Sequence, residues 1–254
     1  MDAVFNFVTT QTARIPDGMR VYAVGDIHGC YGLLNKMLDR IDRDMQKSGE
    51  ALDSAHLVFL GDYVDRGPDS RGVLNRLLAP LPDRLETHFL MGNHEEAMLK
   101  FMGSKNGQHA AWYKSGHWGG RETIESYAEE IDLRYCDNPA QAFGALVPAK
   151  HKAFLKALKP SVTIGDYHFV HAGVDPDVPL AEQDPGLCLR IRDRFLDHAQ
   201  PLEKVIVHGH SVVDRPEVRQ NSIAVDTGAY KSGILTTVVL EGSKRRFLQE
   251  QSYR

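Results

Sequence analysis

His56-Leu57-Val58-Phe59-Leu60-Gly61-Asp62-Tyr63-Val64-Asp65-Arg66-Gly67-Pro68 is the stretch on which the reading of this chain turns. The apolar run His56 to Leu60 has the length and composition of a buried strand, and Gly67-Pro68 breaks regular structure soon after it. Between them, a turn carries two carboxylates and a guanidinium. Asp62 and Asp65 cannot both be buried unpaired, because an ionised carboxylate is costly to desolvate. A bound cation or a partner side chain must satisfy them. An acidic surface turn beside an arginine would explain one such stretch, but four others of the same kind occur in the chain.

Toward the N-terminus, Met19 to Val24 (MRVYAV) reads as a first strand running into Gly25-Asp26-Ile27-His28-Gly29. Leu33, Leu34, Met37, Leu38 and Ile41 then recur at helical spacing and predict an amphipathic helix to about Lys47. After the central turn, Asp69 is the N-cap of a helix through Leu78. Leu85 to Leu90 forms a third strand, ending at Met91-Gly92-Asn93-His94-Glu95, where another helix begins with Ala97, Met98 and Phe101 on one side. Strand, charged turn and helix, repeated in this way, predict βαβ units and a parallel sheet.

Residues 103–160 show helical periodicity, over about 121–132 and 140–158, and no strand. This section reads as a helical insertion capping the same domain, so that 1–254 forms one α/β domain of mixed sheets flanked by helices. It has no strand-end carboxylate or histidine cluster. It is therefore expected to shape access without supplying catalytic groups, with Trp112, Gly119 and Gly120 at the border of the site. Beyond Pro160, strands return at 161–165, 167–171, 204–208, 222–226 and 234–240, with Gly165-Asp166 as a hairpin connection. The first dozen residues read as a mobile tail.

Composition narrows the function classes. Hydrophobic residues make up 42% and charged residues 25%, an ordinary globular balance. A formal charge of −4 gives no reason to expect a nucleic-acid polymer or a membrane surface as partner. No run reaches the length of a membrane span, and no signal peptide is recognisable. Cys30, Cys136 and Cys188 are scattered and odd in number, which argues for a reducing, cytoplasmic setting. Cys30 reads as helix packing and the stretch Glu125–Asp132 as a solvated face. His88, His117 and His168 read as structural, and His208 as packing or support.

The remaining polar residues gather at strand ends. Asp26 and His28 lie two apart in an extended segment and so face one side, where they can grip one ion. Asp62, Asn93, His171 and His210 arrive from four further strand ends, where open α/β sheets bind ligands. Mixed carboxylate, amide and imidazole donors suit Mn²⁺, Fe²⁺ or Zn²⁺. Six donors with one carboxylate able to bridge suit two ions about 3.5–4 Å apart.

The blocks GDIHG (25–29), GDYVDRG (61–67), GNHE (92–95), HAG (171–173) and GH (209–210) resemble, in order and spacing, the PPP family of metal-dependent phosphoprotein phosphatases. That family lies within the calcineurin-like metallophosphoesterases, and the chain looks most like its bacterial and phage branch. The resemblance implies a dinuclear site, most readily two Mn²⁺. Asp26 and His28 would bind one ion and Asn93, His171 and His210 the other, with Asp62 bridging. It also implies His94 as general acid, Asp65 as the carboxylate that orients it, and Arg66 and Arg192 as phosphate-binding groups. The branch has Trp two residues before the second arginine, where this chain has Arg190, so Arg190 and Arg194 compete with Arg192. Asp226-Thr227-Gly228-Ala229-Tyr230 resembles the segment that closes the site.

The implied activity is hydrolysis of phosphomonoesters by a water shared between the ions, most readily of phosphoserine and phosphothreonine in proteins, with phosphotyrosine also open. Dinucleoside polyphosphates such as diadenosine tetraphosphate are the alternative, because bacterial relatives with a similar GD…RGP block hydrolyse them. Those relatives lack the acid of the DRG triplet, and Asp65 is present here. A silent metal-binding regulator is a third reading.

Overall fold

A computed structural model describes residues 7–47, 52–81, 85–104, 108–128 and 133–252. β1 (Met19–Val24), α1 (Tyr31–Lys47), β2 (Ser54–Phe59), α2 (Ser70–Leu78), β3 (Leu85–Phe89) and α3 (Asn93–Met102) alternate as the sequence predicts. The insertion contributes α4 (Ala111–Lys114), α5 (Gly120–Tyr127), α6 (Pro139–Leu146) and α7 (Ala149–Lys156). Next come β4 (Ser161–Ile164), β5 (Tyr167–Val170), α8 (Pro185–Cys188), α9 (Asp193–Leu196), β6 (Val205–His208), β7 (Glu217–Val218) and β8 (Ser222–Ala224). α10 (Ala229–Ser232), β9 (Ile234–Glu241) and β10 (Lys244–Gln251) complete the order.

The strands form two mixed five-stranded sheets, ordered β10-β9-β1-β2-β3 and β4-β5-β6-β8-β7. β1, β2 and β3 are mutually parallel, as are β5, β6 and β8, so each sheet brings three strand ends to one edge. The sheets pack face to face through Val21, Ala23, Val58 and Leu60 on one side and Phe169, Val205, Val207 and Ile223 on the other. The outer face of the first sheet is covered by α1, α2, α3 and the insertion, through Tyr22, Leu57 and Phe59 against Leu34, Met37, Leu74 and Phe101. These are the alternating halves of each strand, so one period-2 pattern serves two cores.

Several expectations need correction. The tail is anchored from its eighth residue: Val8 bridges Leu202, and the Thr10 amide donates to Gln220 O at 2.8 Å. Residues 1–6 lie outside the described residues. The predicted helix at 140–158 is two helices, because Pro148 holds Val147 extended and ends α6. The predicted helix at 121–132 ends at Tyr127, with Ala128 extended. Of the stretch Glu125–Asp132, Glu125 pairs with Arg121 on an exposed face, and residues 129–132 lie outside the described residues. β10 was not foreseen. Its charged and amide side chains leave Leu248 as its buried residue, the pattern of an edge strand. Asp69 does cap α2, accepting from Gly72 N at 2.7 Å, and Gly165-Asp166 does join β4 to β5 as a hairpin.

Candidate metal centre and active site

Parallel pairing of β1 with β2 lays their ends side by side. The Ile27 and His28 amides donate to Asp62 O at 3.1 and 2.9 Å, and Gly29 N donates to Tyr63 O at 2.9 Å. In the second sheet, Gly209 N donates to His171 O at 2.8 Å, so His210 follows His171 into the same cleft. The turns are tight. His28, Asp62, Asp65, Arg66 and His210 all have left-handed backbone, with φ of 45°, 51°, 73°, 66° and 60°. Residues bearing a Cβ adopt that region at a cost, and such strain gathers at functional sites. Among the described residues, His109 is the one other non-glycine in it. Gly209 is dictated by space, since a Cβ there would stand 2.0 Å from Asp26 Oδ1.

The six donor residues converge. Donor atoms of His28, Asp62 and His94 form one cluster within 4.8 Å of one another, and those of Asp62, His171 and His210 form a second. Asp62 belongs to both. Its Oδ2 lies 3.5 Å from His28 Nε2 and its Oδ1 lies 3.4 Å from His171 Nε2. His28 Nδ1 faces Val64 O at 2.8 Å and His171 Nδ1 faces Leu60 O at 2.9 Å. A carbonyl on Nδ1 fixes the proton there and turns the Nε2 lone pair into the cleft, as metal-binding imidazoles require. Asn93 Oδ1 sits 2.9 Å from His171 Nε2, and Asp26 accepts from His210 N at 3.0 Å.

These residues fit divalent cations. Burial pushes His28 and His171 below the ordinary imidazole value, and His210 down to about 2, so their neutral forms are the ones housed here. His171 nonetheless meets acceptors at both ring nitrogens, which a neutral ring cannot satisfy alone. Burial and the facing Asp226 push the Asp26 carboxyl well above its usual range, and burial raises Asp226 to about 6. Asp226 Oδ2 has no hydrogen-bond partner. Crowded carboxylates and inward lone pairs call for positive charge. At His28 a cation already answers: Arg66 Nη1 donates to Nε2 at 2.9 Å.

His94, just after Asn93 on α3, adjoins this centre with Nε2 3.8 Å from Asp62 Oδ2. Its Nδ1 bonds Asp65 Oδ2 at 2.7 Å. Burial opposes the imidazolium, but the Asp62 and Asp65 carboxylates outweigh it and raise His94 above its ordinary value. Asp65 is buried and held by the insertion: Trp112 Nε1 donates to Oδ2 at 2.7 Å and Thr123 Oγ1 to Oδ1 at 2.6 Å. The insertion thus reaches the site and braces Asp65, a contact beyond the expected shaping of access, and the Trp118 ring packs 5.0 Å from His94. Trp112, Gly119 and Gly120 border the site as expected, with Gly119 O accepting from Arg66 N at 3.1 Å and Gly120 packed on Trp112. Thr123 and the Trp112–Asp65 bond were not foreseen, because these helices are joined to Asp65 only through tertiary packing.

Three arginines were open at 190–194, and their partners separate them. Arg190 is ion-paired to Glu96, and Arg194 to Asp175 and Asp177 at 3.0 and 2.8 Å. Arg192 Nη2 lies 3.5 Å from His210 O, beside the donor cluster. Arg66 stands over the Tyr230 ring at 4.8 Å, so the 226–230 segment does border the centre. Glu95 was quoted only as part of a block, yet it anchors the central turn. Its fully buried carboxylate accepts from the amides of Asp62, Tyr63, Val64 and Gly92 at 2.9, 2.7, 3.2 and 3.0 Å. Burial and Asp62 push its carboxyl up, but all four partners are donors, so the turn binds the ionised form. Of the other histidines, His168 bonds Thr163 at 2.7 Å, His208 bonds Gly209 O at 3.1 Å, and His117 packs beside Trp118.

The family model for calcineurin-like phosphoesterases matches residues 19–233. An asymmetrical bis(5'-nucleosyl)-tetraphosphatase of Halalkalibacterium halodurans is 26% identical over 231 residues, covering 87% of this chain and 89% of that protein. Serine/threonine-protein phosphatase 2 of Salmonella typhimurium is 28% identical over 229 residues, covering 85% of this chain and 90% of that protein. The crystal structure of a cold-active protein-tyrosine phosphatase from Shewanella covers 93% of this chain at 19% identity with a TM-score of 0.52, a likeness of fold. With a match that includes every strand-end block, this chain belongs to the calcineurin-like phosphoesterase family, and its relatives are named for both substrate classes.

Proposed function

We propose that this phosphoesterase hydrolyses phosphomonoesters, phosphoserine and phosphothreonine in proteins first among them and phosphotyrosine as well. The observation that carries the reading is His94 bonded to a buried Asp65 that Trp112 and Thr123 hold in place. An alkoxide is a poor leaving group and needs a proton. His94 Nδ1–H is committed to Asp65, which leaves Nε2–H aimed into the cleft as the donor. General acids of this kind contribute ~10²–10⁴ in rate.

Two divalent ions held by Asp26, His28, Asp62, Asn93, His171 and His210, with manganese the first candidate and iron or zinc behind it, would supply charge for the phosphoryl oxygens and an acidified attacking water. Arg66 and Arg192 add planar, permanently charged forks on the open side. A monoester is nearly a dianion at neutral pH, whereas a diester carries one charge and a second bulky ester. A site this cationic is the complement of the dianion. p-Nitrophenyl phosphate should therefore be cleaved much faster than bis-(p-nitrophenyl) phosphate, and any hydrolysis excludes a silent regulator.

Dinucleoside tetraphosphates are the second reading, favoured by one observation besides the names of the relatives. A cavity of about 640 Å³ opens beside Arg66's partner Tyr230, lined by Tyr31, Lys36, Pro68 and Lys231. Half-exposed tyrosines and lysines there have the chemistry to hold a base and an anionic chain. Rates for phosphopeptides and diadenosine tetraphosphate, measured side by side with Mn²⁺, separate the readings. Faster phosphopeptide hydrolysis is expected. A decisive preference for the dinucleotide overturns the protein-phosphatase reading and leaves the phosphoesterase intact.

A further inference from the structure

His56, Glu86 and His88 form a cluster remote in function from the strand-end centre, on the flank of the first sheet. β2 pairs with β3 so that His56 stands opposite Glu86, and strand alternation puts His88 on the same face as Glu86. β3 is the outer strand of its sheet, so the three side chains meet at its margin, where the inter-sheet core around Val58 and Leu90 ends. Both imidazoles are buried, at 8% and 6% exposure, while the Glu86 side chain is 68% exposed.

One donor atom from each of the three residues lies within 4.8 Å of the other two, and the Glu86 carboxylate turns one oxygen to each imidazole. His56 Nδ1 is 3.2 Å from His88 Nε2, 3.6 Å from one Glu86 oxygen, and His88 Nε2 is 3.5 Å from the other. Ligands about 2.0–2.1 Å from a tetrahedral zinc stand about 3.3–3.4 Å from one another. Hydrogen bonding explains the arrangement poorly. One proton serves the His56–His88 contact, and His88 Nδ1 is buried without a partner. Two buried imidazoles stacked side by side at a sheet margin, with an acid closing over them, give a weak account of their own placement.

We propose that His56, Glu86 and His88 form a third divalent-metal site, for Zn²⁺ or a metal of similar softness, with a fourth position open to solvent. Two nitrogens and one carboxylate oxygen select such an ion over Mg²⁺ or Ca²⁺, which demand oxygen donors. The site is structural. It clips the outer strand β3 to β2, the two strands whose ends present Asp62 and Asn93. Lys159, whose charge bears on His88, is exposed on a long flexible side chain and can remain in solvent.

The test is a titration of the metal-stripped full chain with Co²⁺, followed by absorption and by equilibrium dialysis. Three equivalents are expected, one giving the intense visible band of four-coordinate cobalt. His88→Ala and His56→Ala should each remove one equivalent and that band. Asp62→Asn, which damages the strand-end pair, should leave the band in place. Glu86→Gln changes an exposed side chain and so tests the site without threatening the fold. It should weaken the third equivalent by more than the ~100-fold that loss of a mere ligand support costs at most. Equal stoichiometry and spectra in the wild type, His88→Ala and Glu86→Gln would overturn the proposal. Loss of the band in Asp62→Asn alone would also overturn it, by assigning the band to the strand-end pair.

Discussion

His94 bonded to Asp65 at 2.7 Å makes the proton donor testable through the leaving group. His94→Asn should cut turnover of alkyl phosphates by ~10²-fold or more and that of p-nitrophenyl phosphate by less, since nitrophenolate leaves without a proton. Equal losses on the two esters would remove His94 from the role of acid. Asp65 also sets its pH range. In the proposed role the working form of His94 is the imidazolium, present below its raised value and lost as pH rises through it. Asp65→Asn removes a carboxylate that raises that value, so the alkaline limb of alkyl-ester turnover should move to lower pH. Glu95 tests the turn itself. Glu95→Gln keeps one acceptor oxygen but places an amide NH₂ against two of the four backbone donors, and an unpaired buried polar group costs about 1–3 kcal/mol. The variant should melt several degrees lower and bind metal less tightly, because Asp62 rides on the same turn. A Glu95→Gln protein with wild-type melting and metal content would show that the four bonds do not hold the turn.

At the scale of elements, the insertion is tied to the Asp65 carboxylate by two hydrogen bonds. α4 brings Trp112 and α5 brings Thr123 onto the two oxygens of Asp65. Trp112→Phe preserves most of the packing against Phe101 and Phe143 but deletes the N–H. It should slow alkyl phosphates several-fold whatever their size, while p-nitrophenyl phosphate is nearly spared. A change confined to large substrates, with small alkyl esters untouched, would return the insertion to the role of a selective lid. The same elements show why their contribution was not legible beforehand. Helical periodicity over 103–160 marks the section as helical, though it merges α6 with α7, and it does not say which loop the inner faces meet.

The molecule as a whole joins two sheets through one cleft. Asp26, His28, Asp62 and Asn93 come from the first sheet, His171 and His210 from the second. Ions bound among them must therefore stabilise the sandwich and not merely a loop. At a free concentration ~100 times Kd, one ion adds about 2.7 kcal/mol. For a chain of this size that raises Tm by roughly 5–10 °C. Chelation should reverse the shift, and Asp62→Asn should abolish most of it. A Tm indifferent to Mn²⁺ would mean that the clusters do not bridge the sheets.

Five glycine-flanked blocks at strand ends were readable from the sequence alone, because each block is local: a strand, a turn that needs glycine, and a donor two or fewer residues away. With the strand–turn–helix alternation they sufficed for the α/β class and for six donors at strand ends, while the His94–Asp65 pair came from the family resemblance that the blocks carry. Other features depended on side chains far apart in the chain meeting in space. Tertiary structure decided that Trp112 and Thr123 hold Asp65, that Glu95 ties down the central turn, and that Asp226 faces Asp26. It gave Arg190 and Arg194 acidic partners and set Arg192 beside His210. It also brought His56, Glu86 and His88 together, since a register between two parallel strands is set by the packing of whole sheets and not by either strand's own residues.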